Sequence, residues 1–134
     1  MMHGSCLCGT VRYEIGAPLI EMHHCHCSRC RKAHGAAFAT YAQTNAADLR
    51  ITAGANQVRA FHTPSQARRS FCANCGSNLF FALDAVPDAV WVTVATLDGE
   101  LTMQPQAHIY VGSKAEWHAI LDALPQFAAL PPSE

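Results

Sequence analysis

Charge is scarce in this sequence. Asp, Glu, Lys and Arg make up 14% of its 134 residues, and the formal net charge is −1. A nucleic-acid binder concentrates Lys and Arg on one face; the one short basic pair here, Arg68–Arg69, reads as a solvated strand edge. Long apolar runs are missing too, and no stretch approaches the ~18 residues that a membrane helix requires. The first residues, Met1 to Cys6, have neither the basic nor the apolar segment of a secretory signal. The expectation is therefore a cytoplasmic chain with no membrane and no nucleic-acid partner, whose thiols stay reduced. What is plentiful is apolar residues, 50% of the total. That suits one hydrophobic core, so residues 1–134 read as a single domain. Cysteine is also plentiful, at seven. An odd number cannot pair off in disulfides, and clustered reduced cysteines point to metal or catalysis.

Helix signals are few and the pattern is mainly β. Strands are expected over Thr10–Ile15, Leu19–His24, Ala37–Gln43, Leu49–Thr52, Gln57–His62, Arg68–Phe71, Asn78–Leu83, Val90–Thr96 and His108–Val111, each rich in β-branched or aromatic residues or set between turn signals. Val90–Thr96 has the clearest alternation. One or two short helices complete the expectation: a turn over Ser28–His34 carrying Cys30 inward, and a segment over Lys114–Leu124, either a helix or two short turns, which Ser113 and Glu116 would open as a capping box and Pro125 would end. The tail Pro131–Glu134 reads as frayed.

The cysteines fall in three clusters: Cys6-Leu7-Cys8-Gly9, Cys25-His26-Cys27-Ser28-Arg29-Cys30 and Cys72-Ala73-Asn74-Cys75-Gly76. Two residues between thiolates let a tight turn aim both sulfurs at one ion, and a trailing glycine permits the positive φ that such a knuckle needs. The third cluster, between Phe71 and Leu79–Phe80, reads as the tip of a β-hairpin, and the first follows the same logic. Structural zinc takes four ligands in a tetrahedron, so Cys6, Cys8, Cys72 and Cys75 group as one closed site. Cys25, Cys27 and Cys30 remain. Three thiolates leave one position for water or substrate, the form of a catalytic site, unless a histidine closes it. His34, four residues after Cys30, is the candidate closing ligand; His26 lies between two ligands and is expected to point outward. The expected cofactor is zinc, two ions per chain, because thiolate-rich tetrahedral sites favour it.

These clusters resemble those of the glutathione-dependent formaldehyde-activating enzyme family, which also contains centromere protein V. The likeness runs through Gly4–Tyr13, Cys25–Gly35 and Arg69–Leu79, and continues in His108–Val111 and Lys114–Trp117. The resemblance implies the Mss4-like β fold, a structural zinc on Cys6, Cys8, Cys72 and Cys75, and a catalytic zinc on Cys25, Cys27 and Cys30. It also implies carbon–sulfur lyase chemistry, in which glutathione and formaldehyde combine to S-hydroxymethylglutathione, with a small thiol and an aldehyde as the partners.

On that reading a thiol enters the open position as thiolate and attacks a carbonyl carbon, and a nearby donor protonates the alkoxide. His34 and Arg31 are the favoured candidates for catalytic roles, with His26 and Lys32 also close in sequence. Arg29 and Arg31 could meet a substrate carboxylate. Trp91, Trp117 and Tyr110 read as core or pocket wall. The alternative is a non-catalytic zinc module that binds a protein partner, with both sites closed.

Overall fold

The computed structural model describes residues 1–132. Its strands are β1 (Met2–Ser5), β2 (Arg12–Ile15), β3 (Glu21–Cys25), β4 (Ala39–Asn45), β5 (Leu49–Ala53), β6 (Val58–His62), β7 (Ala67–Cys72), β8 (Asn78–Leu83), β9 (Ala89–Thr93), β10 (Leu97–Asp98) and β11 (Ala107–Ile109). One α-helix, α1 (Ser28–His34), follows β3 directly. The strands form a four-stranded sheet in the order β10-β1-β2-β5 and a seven-stranded sheet in the order β11-β3-β4-β9-β8-β7-β6. Every named strand pair is antiparallel except β11 with β3, where His108 lies opposite His24. The mainly β expectation holds.

Alternation along the strands divides the larger sheet into two faces. Met22, Ala42, Phe80, Val90 and Val92 point to one face, where they meet Val11, Tyr13 and Ile15 of the smaller sheet in the main core. Tyr13 packs edge-on against Phe80 with ring centroids 5.0 Å apart. Its hydroxyl donates to Thr96 Oγ1 at 2.6 Å, because the Thr96 hydroxyl proton is given to the Thr93 carbonyl. Tyr41, Phe81 and Trp91 fall on the opposite face, where they pack around Cys25, Cys27 and Cys30.

Several sequence expectations need correction. Of the two forms expected for Lys114–Leu124, turns are found and the helix does not form. Residues Val111–Ser113 make a single 3-10 turn, and the chain beyond runs as turns and loops. A helix there would have no apolar face to bury: Trp117 and Leu121 are 75% and 92% exposed, which also removes Trp117 from the core and the pocket wall. The Lys114 ammonium instead donates to the Ala115 and His118 carbonyls. Val90–Thr96 stops being a strand at Thr93 and closes as a 3-10 turn over Val94–Thr96. The short strands β1 and β10 escaped notice, since neither offers an alternating apolar pattern. Of the tail Pro131–Glu134, the last two residues lie outside the described residues.

The turn after β5 touches the first cysteine hairpin at Gly54. Its φ is +72°, and a Cβ there would lie 2.3 Å from the Thr10 carbonyl oxygen. Backbone strain and a clash with main chain act together, so Gly54→Ala should cost about 2 kcal/mol or more of stability. Urea unfolding of the metal-loaded protein measures this; an unchanged midpoint would mean that the two loops are not in contact.

Candidate functional site

Both outer cysteine clusters sit at hairpin tips. Cys6 and Cys8 lie in the turn between β1 and β2; Cys72 ends β7 and Cys75 lies in the turn from it to β8. The trailing glycines take the backbone that the motif requires, with φ of 78° at Gly9 and 79° at Gly76. The two tips belong to different sheets, yet the four sulfurs lie within 4.8 Å of one another. Cys6 and Cys8 Sγ are 3.5 Å apart, and Cys8 and Cys72 Sγ 3.9 Å. A tetrahedral ion with bonds of about 2.3 Å to sulfur requires sulfur–sulfur edges of about 3.8 Å. The donor set and its spacing therefore fit a closed metal site joining the two sheets. Hydrogen bonds prepare the sulfurs for it. The Thr10 hydroxyl and the Asn74 amide, each 3.2 Å from Cys8 Sγ, pull that thiol down to about 7. The Ser77 hydroxyl, 3.3 Å from Cys75 Sγ, pulls its neighbour down to about 5.

Cys25, Cys27 and Cys30 form the second group, again with sulfurs within 4.8 Å of one another. Cys25 ends β3, Cys27 precedes α1, and Cys30 is the one buried residue of α1. The Cys30 N–H donates to Cys27 Sγ at 3.3 Å, so the sulfur caps the helix that carries its neighbour. Crowding divides the protons unequally: hydrogen bonds from Cys25 and Cys30 favour the thiolate on Cys27, and the same contacts hold Cys25 protonated. Among the described residues no other Cys, His, Asp or Glu completes this group.

The three sulfurs lie in the wall of a cavity of about 630 Å³, lined also by Tyr41, Arg69, Phe81, Trp91, Ile109 and Tyr110. Arg29 and Glu21 line it as well. Arg69, read from sequence as a solvated edge residue, is half-buried and turns inward. Its Nη2 donates to Cys30 Sγ at 3.6 Å, and its Nη1 donates to Tyr41 Oη at 3.1 Å. The Tyr41 hydroxyl also shares a hydrogen bond with His34 Nε2, 2.7 Å away.

His34 is thus neither at the sulfurs nor on the cavity wall; it stands behind Tyr41. Burial, reinforced by Arg69, lowers it to about 4. Arg31 lies off the cavity as well, with Nε donating to the His26 carbonyl at 3.4 Å. His26 points away from the sulfurs, as expected, but into the protein rather than to solvent. It is fully buried, and its Nε2 meets His108 Nδ1 at 2.8 Å. His108 Nε2 in turn donates to the Asp122 carboxylate, 3.0 Å away. This chain backs the cysteine loop from the face opposite the cavity, assisted by the His26 N–H bond to the Ile109 carbonyl. Arg69, Tyr41, His108 and Asp122 were not identified from sequence, because each comes from an element remote from the central cluster.

A family model described as glutathione-dependent formaldehyde-activating enzyme matches residues 1–113. The chain belongs to that family. Among its relatives is a Phaeosphaeria nodorum protein provisionally named a glutathione-dependent formaldehyde-activating enzyme, 28% identical over 56% of this chain and 40% of its own length. Another is an uncharacterized lyase of Schizosaccharomyces pombe, 29% identical over 59% of this chain and 56% of that one. The chain thus spans about half the length of the curated relatives it matches. A crystal structure of a Rhodobacter sphaeroides protein superposes with a TM-score of 0.64 at 30% identity, over 75% of this chain and 92% of that one. No helix among the described residues is long and apolar enough to cross a membrane.

The buried setting of His34 has a consequence for pH. Its folded-state value lies below the ordinary 6.5, so the stability linked to its neutral ring is fully present above about pH 6.5 and is lost as pH falls through about 4. An NMR titration of the ring protons should give a midpoint near 4; a midpoint at 6.5 would place His34 in water and break its link to Tyr41.

Proposed function

We propose that this protein is a zinc-dependent carbon–sulfur lyase-type enzyme that forms and breaks the adduct between a glutathione-like thiol and an aldehyde. The observation that carries the reading is the trio of sulfurs in the cavity wall. Cys25, Cys27 and Cys30 gather there without a fourth protein ligand among the described residues. The closed Cys6, Cys8, Cys72 and Cys75 set would hold a second, structural zinc. The family description and the lyase name of the fission-yeast relative support the chemistry. Zinc bound by three thiolates supplies one exchangeable position in which a substrate thiol is held as thiolate near neutral pH.

The chain's own residues then divide the work. In the addition the sulfur–carbon bond forms, the carbonyl π bond breaks, and the thiol proton ends on the new hydroxyl oxygen, so no oxidant is needed. Arg69 is the cation nearest the reacting end, fixed by Cys30 and Tyr41, and it stabilises the developing alkoxide. Tyr41 keeps its proton, since burial pushes its hydroxyl up. With His34 behind it, Tyr41 forms the pair that shuttles the proton. His34 therefore acts through Tyr41, and Arg31 positions the cysteine loop through the His26 carbonyl. Arg29 is placed to meet a carboxylate such as glutathione carries.

Cobalt-loaded protein titrated with glutathione tests the open position. The metal–thiolate spectrum should change saturably, and His34→Ala should still bind two equivalents of metal. An unchanged spectrum at saturating thiol, or the loss of one equivalent in His34→Ala, would indicate a closed module. Arg69→Met should retain both ions and lose about a hundredfold in kcat; full activity in that variant would remove Arg69 from the mechanism.

A further inference from the structure

The cavity is far larger than a one-carbon aldehyde requires, and one stretch of its wall is aromatic. At about 630 Å³ it falls in the ~300–1,000 Å³ range of sites that enclose drug-sized ligands. Formaldehyde has no group to lay against a wall. Yet the wall is built from large rings on neighbouring strands: Phe81 lies directly opposite Trp91 in the pairing of β8 with β9. Their ring centroids are 5.8 Å apart, and Tyr41 lies 5.7 Å from Phe81. Tyr110, which also lines the cavity, holds a backbone φ of +56°, a conformation that costs free energy in any residue with a Cβ. Its N–H bond to the Ala129 carbonyl and its carbonyl bond from Ser113 hold it there.

The polar groups do not suit the same stretch to a peptide. Arg69 stacks over the Phe81 ring, 4.9 Å from its centroid, and is held there by one N–H bond to Tyr41 and one to Cys30. Glutathione presents two carboxylates and an ammonium, each of which needs a partner when it leaves water. The exposed Arg29 offers a partner to a carboxylate and Glu21 one to the ammonium, whereas the Phe81 and Trp91 rings themselves offer none. The peptide arm of a thiol therefore belongs on the Arg29 side, which leaves the ring-lined wall for the other reactant.

We infer that the carbonyl reactant is an aryl or arylalkyl aldehyde whose ring lies on the Phe81–Trp91 wall while its carbonyl carbon meets the thiolate at Cys25, Cys27 and Cys30. This rests on the thiol–aldehyde reading above and replaces the one-carbon aldehyde in it. The bond changes are the same: sulfur adds to carbon, the carbonyl π electrons move to oxygen, and the thiol proton is delivered there.

The test uses the zinc-loaded full chain with glutathione as the common thiol, following hemithioacetal formation with phenylacetaldehyde, acetaldehyde and formaldehyde. The kcat/KM for phenylacetaldehyde should exceed that for acetaldehyde by at least about tenfold. Trp91→Ala should collapse that ratio about tenfold, which cancels any difference in intrinsic reactivity. Trp91→Phe, which keeps a ring in β9, should retain most of the ratio and guards against a folding defect in Trp91→Ala. A ratio near one in the wild type, a preference for formaldehyde, or a ratio unmoved in a folded, zinc-loaded Trp91→Ala would overturn the inference and leave the thiol–aldehyde reading standing. No acceleration with any aldehyde, together with a cobalt spectrum indifferent to glutathione, would overturn both.

Discussion

Sulfur–sulfur repulsion is the constraint on which this structure turns. Two thiolates about 4 Å apart repel by about 4 kcal/mol at an effective dielectric constant of 20. The fold nevertheless holds four sulfurs within 4.8 Å of one another at one place and three at another. Hydrogen bonds from Thr10, Asn74 and Ser77 relieve part of that cost, but they favour thiolates and so add charge. A thiophilic cation with a tetrahedral preference resolves the conflict, and its binding free energy becomes folding free energy. At the hairpin tips the ion would act as a staple between the two sheets, next to the main core. Loss of metal there should therefore be felt as loss of the sheet–sheet arrangement.

The central group makes a different use of the same chemistry. Strand alternation sends Cys25 to the cavity face of the larger sheet and His24 to the other face, and α1 returns Cys30 to the first. The cavity face then receives Cys25, its arginine and its aromatic wall from β3, β4, β7, β8 and β9 together. The opposite face receives the chain from His26 through His108 to Asp122, which ties the cysteine loop to the segment after β11. Rigid backing on one side and an accessible wall on the other are what a site requires if its ligands are to stay fixed while reactants exchange.

Much of this was legible in the residues, and the failures have physical causes. The helix Ser28–His34 and the strand Asn78–Leu83 emerged with their expected bounds, because turn residues and apolar patterning agree there. The division of cysteines into four and three followed from ligand counting, and the glycines after the second cysteine of each outer pair took the left-handed backbone. At Lys114–Leu124 the turns prevailed over the helix because a capping pattern is local, whereas a short helix survives only by burying a face, and Trp117 and Leu121 stay largely exposed. Arg69 and Tyr41 were hidden for the reverse reason. They lie 39 and 11 residues from Cys30 in the chain, and only the pairing of the strands brings them to the sulfur. His26 was misjudged because its partners, His108 and Asp122, come from the last third of the chain.

Native mass spectrometry of the folded chain probes the unequal partition of sulfurs most directly. Two zinc ions per chain are expected, with one ion remaining in a folded Cys30→Ser protein and cooperative unfolding when the Cys72 group is disrupted. A single zinc in the wild type, retained in Cys30→Ser, would show that the cavity sulfurs hold no metal and would contradict the account.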